Sequence, residues 1–167
     1  MIMEKCPDLL PDHFSFVQGI VDTPDVSLNI SREMLQHDRQ LKVIANNIEK
    51  KVKSELVKLM KDDREKYEQF WAAFGMQFKY ALMNAYGNNR DTLRDLMLFW
   101  SSKEGKLTSL QEYVDRMSES QAKIYYVCAD SVEHAAKIPQ AERVLKAGYE
   151  VLYLTVDEDE HVLQMLE

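Results

Sequence analysis

The chain has 167 residues, of which 46% are hydrophobic and 29% charged, the balance of a globular protein with apolar material for one sizeable core or two small ones. Its net charge of -7 argues against nonspecific binding to nucleic acid or to acidic membranes, because neutralising phosphates takes clustered Lys and Arg. The two cysteines, Cys6 and Cys128, form no C-x-x-C pair, no run approaches the roughly eighteen apolar residues of a membrane span, and no secretion signal is expected, since the first residues lack a basic stretch followed by an apolar one. A cytoplasmic location in a reducing compartment is expected.

Met1-Ile2-Met3 has the character of a strand end, so the chain is expected to begin inside a domain. Pro7 and Pro11 bracket a short turn at Asp8, Leu9 and Leu10, and Phe14, Phe16 and Val21 predict a strand that runs into a loop at residues 22–25. Ser27-Leu28-Asn29-Ile30 alternates polar and apolar residues and suits an extended segment. From Arg32 the period becomes helical: Ser31 is a good N-cap and Glu33 complements the positive end of the helix dipole. Arg32 and Gln36 are four apart and share a face, so a guanidinium at this helix mouth can reach an anion such as a terminal phosphate. The competing reading of Arg32 is a surface arginine paired with a nearby carboxylate.

Apolar residues at Leu41, Ile44, Ile48, Val52, Leu56 and Leu59 fall three and four apart and predict one long amphipathic helix. Its lysines, Lys50, Lys51, Lys53 and Lys58, are interleaved with Glu49 and Glu55, the pattern of a solvated ion-pair face. Asp62 and Glu65 have the spacing of a capping box for a second helix with Tyr67, Phe70, Trp71, Phe74, Phe78 and Leu82 on one stripe. Gly87-Asn88-Asn89 ends it, and a shorter third helix carries Leu93, Leu96 and Met97. Three helices with short breaks predict an antiparallel coil whose core is the aromatic stripe.

Leu98-Phe99-Trp100 predicts a strand, and Ser109-Leu110-Gln111-Glu112 a capping box that opens a helix. Ile124–Cys128 and Tyr149–Leu154 are β-rich, with helix starts between them at Ser131 and Pro139 and a helix stop at Gly148. Strand, helical crossover and strand make a parallel βαβ unit, and residues 158–166 predict a closing helix that packs back on the sheet. The predicted fold class is therefore mixed α+β. Residues 1–31 are the tail of a larger αβα region, 32–97 a three-helix bundle, and 98–167 a small αβα sandwich.

No motif supports self-sufficient catalysis. There is no G-x-G-x-x-G and no Walker loop among the five glycines. The histidines His13, His37, His134 and His161 lack metal-ligand spacing, and Asp157–Glu160 is a charge run at a helix start rather than a converging pair.

The string from Pro24-Asp25 through Ser27-Leu28-Asn29-Ile30-Ser31-Arg32-Glu33-Met34-Leu35-Gln36 resembles the catalytic-loop signature of the heat-shock protein 90 family of molecular chaperones, the HtpG type in bacteria. Pro7–Pro11, Gly19–Asp22, Leu41–Ile44, Ile124–Tyr126 and Gly148–Tyr153 agree with it in order, so the resemblance covers nearly the whole chain and points to the later part of that family's middle domain. It implies an ATP-driven, stress-response chaperone that assists protein folding, with ATP and Mg bound mainly by a separate N-terminal domain. Arg32 matches the arginine that meets the terminal phosphate when the domains close. Gln36 matches its companion, and Asn29 lies in the same loop. Ser27 departs from the pattern, since close relatives often carry proline there. The implied partners are the N-terminal ATP-binding domain, client proteins and cochaperones, and the complete protein is a homodimer through a C-terminal domain. Trp71 and Met76 are candidates for client binding if part of the aromatic stripe is exposed. The alternative is a passive helical interaction module with no ATP-linked role; a self-contained small enzyme conflicts with the missing nucleotide cradle.

Overall fold

The computed structural model describes residues 9–22 and 39–167. The chain divides into two compact units, Met1–Lys58 and Leu59–Glu167.

In the first unit the expected strand at Phe14–Val21 does not form. Asp12–Phe14 is a turn of 3₁₀ helix, and residues 17–22 carry no regular structure. Pro11 sits in the extended region at its entrance, and the amides of Phe14 and Ser15 bond back to the carbonyls of Pro11 and Asp12 at 2.9 and 3.0 Å. With these donors satisfied locally, the alternation of Phe14 and Phe16 is a coincidence of spacing. Phe14 is fully buried, 4.4 Å from the His13 ring and 6.0 Å from Phe16 edge-on. Helix α1, Arg39–Asp62, begins the long predicted helix within the described residues. Leu41 and Leu56 are buried on its apolar stripe, and Lys51 and Glu55 pair at 2.7 Å on its exposed side.

In the second unit, helix α2 spans Arg64–Asn84. Its cap is Asp63 rather than Asp62: the Asp63 carboxylate accepts from the Lys66 amide at 3.1 Å. Lys66 thus holds the third helical position, where a box needs Glu or Gln, so the cap is one-sided. Tyr67, Trp71, Gly75, Phe78 and Leu82 are buried, and Phe70 joins the rings of Tyr67, Phe74 and Phe78 at centroid distances of 5.6, 5.3 and 5.9 Å. The Tyr67 hydroxyl donates to the Leu96 carbonyl, and burial pushes its pKa well up. Helix α2 ends where Tyr86 and Gly87 take positive φ, 49° and 77°. One α turn follows, α3 (Arg90–Leu93), continued as 3₁₀ helix to Leu96; Leu93, Leu96 and Met97 are fully buried.

The remaining elements are β1 (Leu98–Ser101), β2 (Leu107–Ser109), α4 (Leu110–Arg116), β3 (Tyr125–Cys128), α5 (Val132–Ala135), α6 (Pro139–Lys146), β4 (Val151–Leu154) and α7 (Glu158–Leu166). The strands form one mixed sheet in the order β2-β1-β4-β3, antiparallel except for β3 with β4. The fold class is the mixed α/β expected, with its parallel βαβ unit. β4 is central and buried at every residue, as suits its unbroken Val-Leu-Tyr-Leu run. Ala135, Val151 and Tyr153 form a cluster with Val132, Val144 and Leu145, so α5 and α6 cover one face of the sheet. Gly148, at φ 87°, turns the chain from α6 into β4.

Helix α7 was expected on the sheet, and its Glu160 does approach Cys128 at the end of β3. Its main partner is α2. Lys79 and Asp159, both buried, meet at 2.6 Å. The Tyr80 hydroxyl reaches Glu158 at 3.0 Å. The Lys79 ammonium also lies 5.6 Å from the centre of the Trp71 ring, a second favourable contact for a desolvated cation. Gly75 is required beneath that ring, because a Cβ there would lie 2.7 Å from Trp71 Cδ2.

Removing one member of a buried pair strands the other. Lys79→Met is therefore expected to destabilise the protein by about 3–5 kcal/mol, with much of the loss restored in Lys79→Met/Asp159→Leu, as measured by urea denaturation of both variants. Gly75→Ala is expected to cost about 1–3 kcal/mol by displacing the indole. The same titration, with Trp71 fluorescence as probe, reads it.

Candidate functional site

Asn29, Arg32 and Gln36, the loop residues singled out in the sequence, lie outside the described residues. Trp71 is 8% exposed, so its ring belongs to the core of the second unit, as the burial habit of its stripe suggests. Met76 is half-buried on α2.

The described residues hold a different polar constellation, built where α2, β2, α4 and β4 converge. Arg64, the first residue of α2, donates through Nε to Glu68 at 2.9 Å, through Nη1 to Glu112 at 2.9 Å and through Nη2 to the Leu107 carbonyl at 2.8 Å. Glu112 is also the acidic half of the predicted capping box: its Oε2 accepts from the Ser109 amide at 2.7 Å while the Ser109 hydroxyl accepts from the Glu112 amide at 3.2 Å. Thr108 continues the chain, donating to Glu112 at 3.1 Å and accepting from Arg116 Nη2 at 2.9 Å. Arg116 then grips Glu150 with two bonds, Nε to Oε2 at 3.0 Å and Nη2 to Oε1 at 2.6 Å, and Ser101 donates to the same Oε1 at 2.6 Å. The two-pronged guanidinium geometry suits a carboxylate better than an ammonium would.

Burial pushes the Glu150 carboxyl up, but the bonds from Arg116 and Ser101 and the charges of Arg116 and Lys103 outweigh it, and the net pKa is lowered. Glu112 follows the same balance: burial raises it, and the Ser109 amide and Arg64 bring it below the ordinary value. Both groups are acceptors already in use, which makes them positioning elements rather than proton carriers. A polar cleft of about 380 Å³ opens beside them, walled by Lys103, Arg116, Ser118, Gln121, Gly148 and Glu150. Tyr113 stands behind it. Its hydroxyl donates to the Glu150 carbonyl at 2.7 Å and accepts from the Tyr125 amide at 3.1 Å, adding a rung between β3 and β4. Among the described residues no group of three His, Cys, Asp or Glu side chains could hold a metal ion, and no helix is long and apolar enough to cross a membrane.

Sequence reasoning found Glu112 through its capping box and missed Arg64, Arg116 and Glu150. The only local signal is the four-residue step from Glu112 to Arg116; the partners Arg116 and Glu150 are 34 residues apart.

The second unit is a mixed α/β framework braced by ion pairs whose members are already bonded to one another. The chain belongs to the Hsp90 protein family, whose model matches residues 1–167. It is 61% identical over 166 residues to the chaperone protein HtpG of Bacillus subtilis, covering 99% of this chain and 26% of that protein. It is 58% identical over 166 residues to HtpG of Oceanobacillus iheyensis and of Clostridium perfringens, covering 99% of this chain and 27% of each. The chain thus spans about a quarter of the length of the curated relatives it matches.

Because folding lowers the Glu150 pKa below its ordinary 4.5, the carboxylate's contribution to stability is complete above that value and is lost as pH falls through the lower folded value. Glu150→Gln is expected to lower stability at pH 7 by about 1–3 kcal/mol and to flatten the acid limb of the stability curve, measured by urea denaturation at stepped pH.

Proposed function

We propose that this chain is the middle-domain segment of an Hsp90-type chaperone that uses ATP to assist protein folding, and that Arg32 completes the ATPase site of a separate N-terminal nucleotide domain. The observation that carries this reading is the run Ser31-Arg32-Glu33-Met34-Leu35-Gln36. It lies within a match that extends over the whole chain to chaperones about four times its length. On this reading residues 1–31 close a larger αβα region, 32–97 form the helical connector and 98–167 the small αβα region.

The chemistry asked of Arg32 is electrostatic. A planar guanidinium presents several donors to the oxygens of a phosphoryl group and stabilises the charge that grows on them during transfer. Gln36, one turn further on, supports the closed arrangement, and Asn29 belongs to the same loop. ATP with Mg is held mainly by the N-terminal domain, so this chain contributes a residue to the site rather than the site itself. Client proteins contact the middle-domain surface, where Met76 is more accessible than Trp71. N-terminal domain, clients and cochaperones are the partners, and the complete protein is a cytoplasmic homodimer.

In the complete chaperone, Arg32→Ala is expected to slow ATP turnover by about 10³-fold or more while leaving ATP affinity nearly unchanged. Steady-state hydrolysis with a parallel nucleotide-binding titration checks both. Unchanged turnover would sink the role of Arg32, and an effect on partner binding alone would favour the passive interaction module.

A further inference from the structure

The two edges of the sheet differ in how they are finished. At the β2 edge the strand is three residues long and the Arg64 guanidinium donates to the Leu107 carbonyl, which occupies the outward-facing backbone. Short strands and inserted charges are the usual means of blocking an edge.

The β3 edge is less guarded: Glu160 of α7 reaches the Cys128 thiol at its end, but among the described residues no charge is bonded to its outward backbone. Tyr125–Cys128 holds no proline, glycine or charged residue, and its Tyr126 is 37% exposed and Cys128 exposed. The parallel register pairs Cys128 with Leu154, and the Ala129 amide donates to the Leu154 carbonyl at 3.0 Å. In a parallel ladder this fixes the alternation: the peptide groups of Tyr125 and Val127 turn toward β4, and those of Tyr126 and Cys128 turn outward. The extra rung at Tyr113 consumes the Tyr125 amide on the inner side as well. Among the described residues no backbone or side-chain group bonds the outward amides and carbonyls of Tyr126 and Cys128. The edge is also polarised, with exposed Lys123 just before the strand and Asp130, whose side chain is 97% exposed, just after it.

We propose that the β3 edge is a docking site for an extended polypeptide segment of another protein, which adds to the sheet as a fifth, antiparallel strand. Its backbone bonds the outward groups of Tyr126 and Cys128, a basic residue near its start faces Asp130, and an acidic residue near its end faces Lys123. Main-chain bonding supplies the affinity and the two end charges supply the direction. The antiparallel sense is chosen because it gives the better-aligned bonds. The site needs neither nucleotide nor Arg32, so it stands apart from the ATPase reading.

The test uses the 167-residue chain without nucleotide and the peptide Lys-Thr-Val-Thr-Val-Thr-Val-Glu, followed by backbone amide NMR. The expected result is saturable shifts centred on residues 124–130, with slowed amide exchange at Tyr126 and Cys128. Two comparisons accompany it: the same peptide N-methylated at alternate amides gives no such shifts, and Asp130→Lys, an exposed position that spares the fold, weakens binding about fivefold. No shifts at millimolar peptide would overturn the proposal. Equal shifts from the methylated peptide, shifts centred elsewhere, or unchanged affinity in Asp130→Lys would overturn it as well.

Discussion

The pairing of Glu150 with Arg116 is the constraint on which the second unit depends. A carboxylate that is 7% exposed at the start of the central strand is tolerable only with its oxygens fully bonded, and Arg116 and Ser101 do this from α4 and β1. Three elements distant in sequence are thereby fixed to one another. Through Thr108 and Glu112 the same chain of charges reaches Arg64, so the first residue of α2 is tied to the sheet. A network of this kind specifies an arrangement, because each member left unpaired would be costly, whereas apolar packing alone tolerates small slips.

A second buried pair, Lys79 with Asp159, performs the equivalent service between α2 and α7. Here the Trp71 ring lies against Gly75 and near the Lys79 ammonium. The aromatic stripe of α2 is thus divided in role. Phe70, Phe74 and Phe78 stack along the helix, while Trp71 packs against a desolvated cation. This agrees with the core role expected of the stripe, and it leaves Trp71, the alternative client-binding candidate, largely interior.

Membership of the Hsp90 family gives these features a context. The second unit is a braced framework in which Arg64, Glu112, Arg116 and Glu150 are bonded to one another or through Thr108. The residue proposed to act on nucleotide, Arg32, lies outside the described residues.

Local signals in the sequence were enough for most elements. The Ser109–Glu112 capping box, Pro139 at a helix start, Gly148 at a helix end and the unbroken apolar run Val151–Leu154 each report a backbone requirement met within a few residues. The family resemblance was equally legible, since the string from Leu28 to Gln36 is contiguous and the family match extends over the whole chain. Where local signals compete, the sequence misled: Phe14 and Phe16 alternate like a strand, yet Pro11 sets a 3₁₀ turn, and Asp63 displaced Asp62 as the cap of α2. Tertiary structure alone decided the strand order β2-β1-β4-β3, the seating of α7 on α2, and the partners of Arg64, Arg116, Lys79 and Glu150. The reason is physical: periodicity and caps are set by neighbours along the chain, whereas a buried charge is matched by whatever the fold brings to it, and nothing in its own surroundings names that partner.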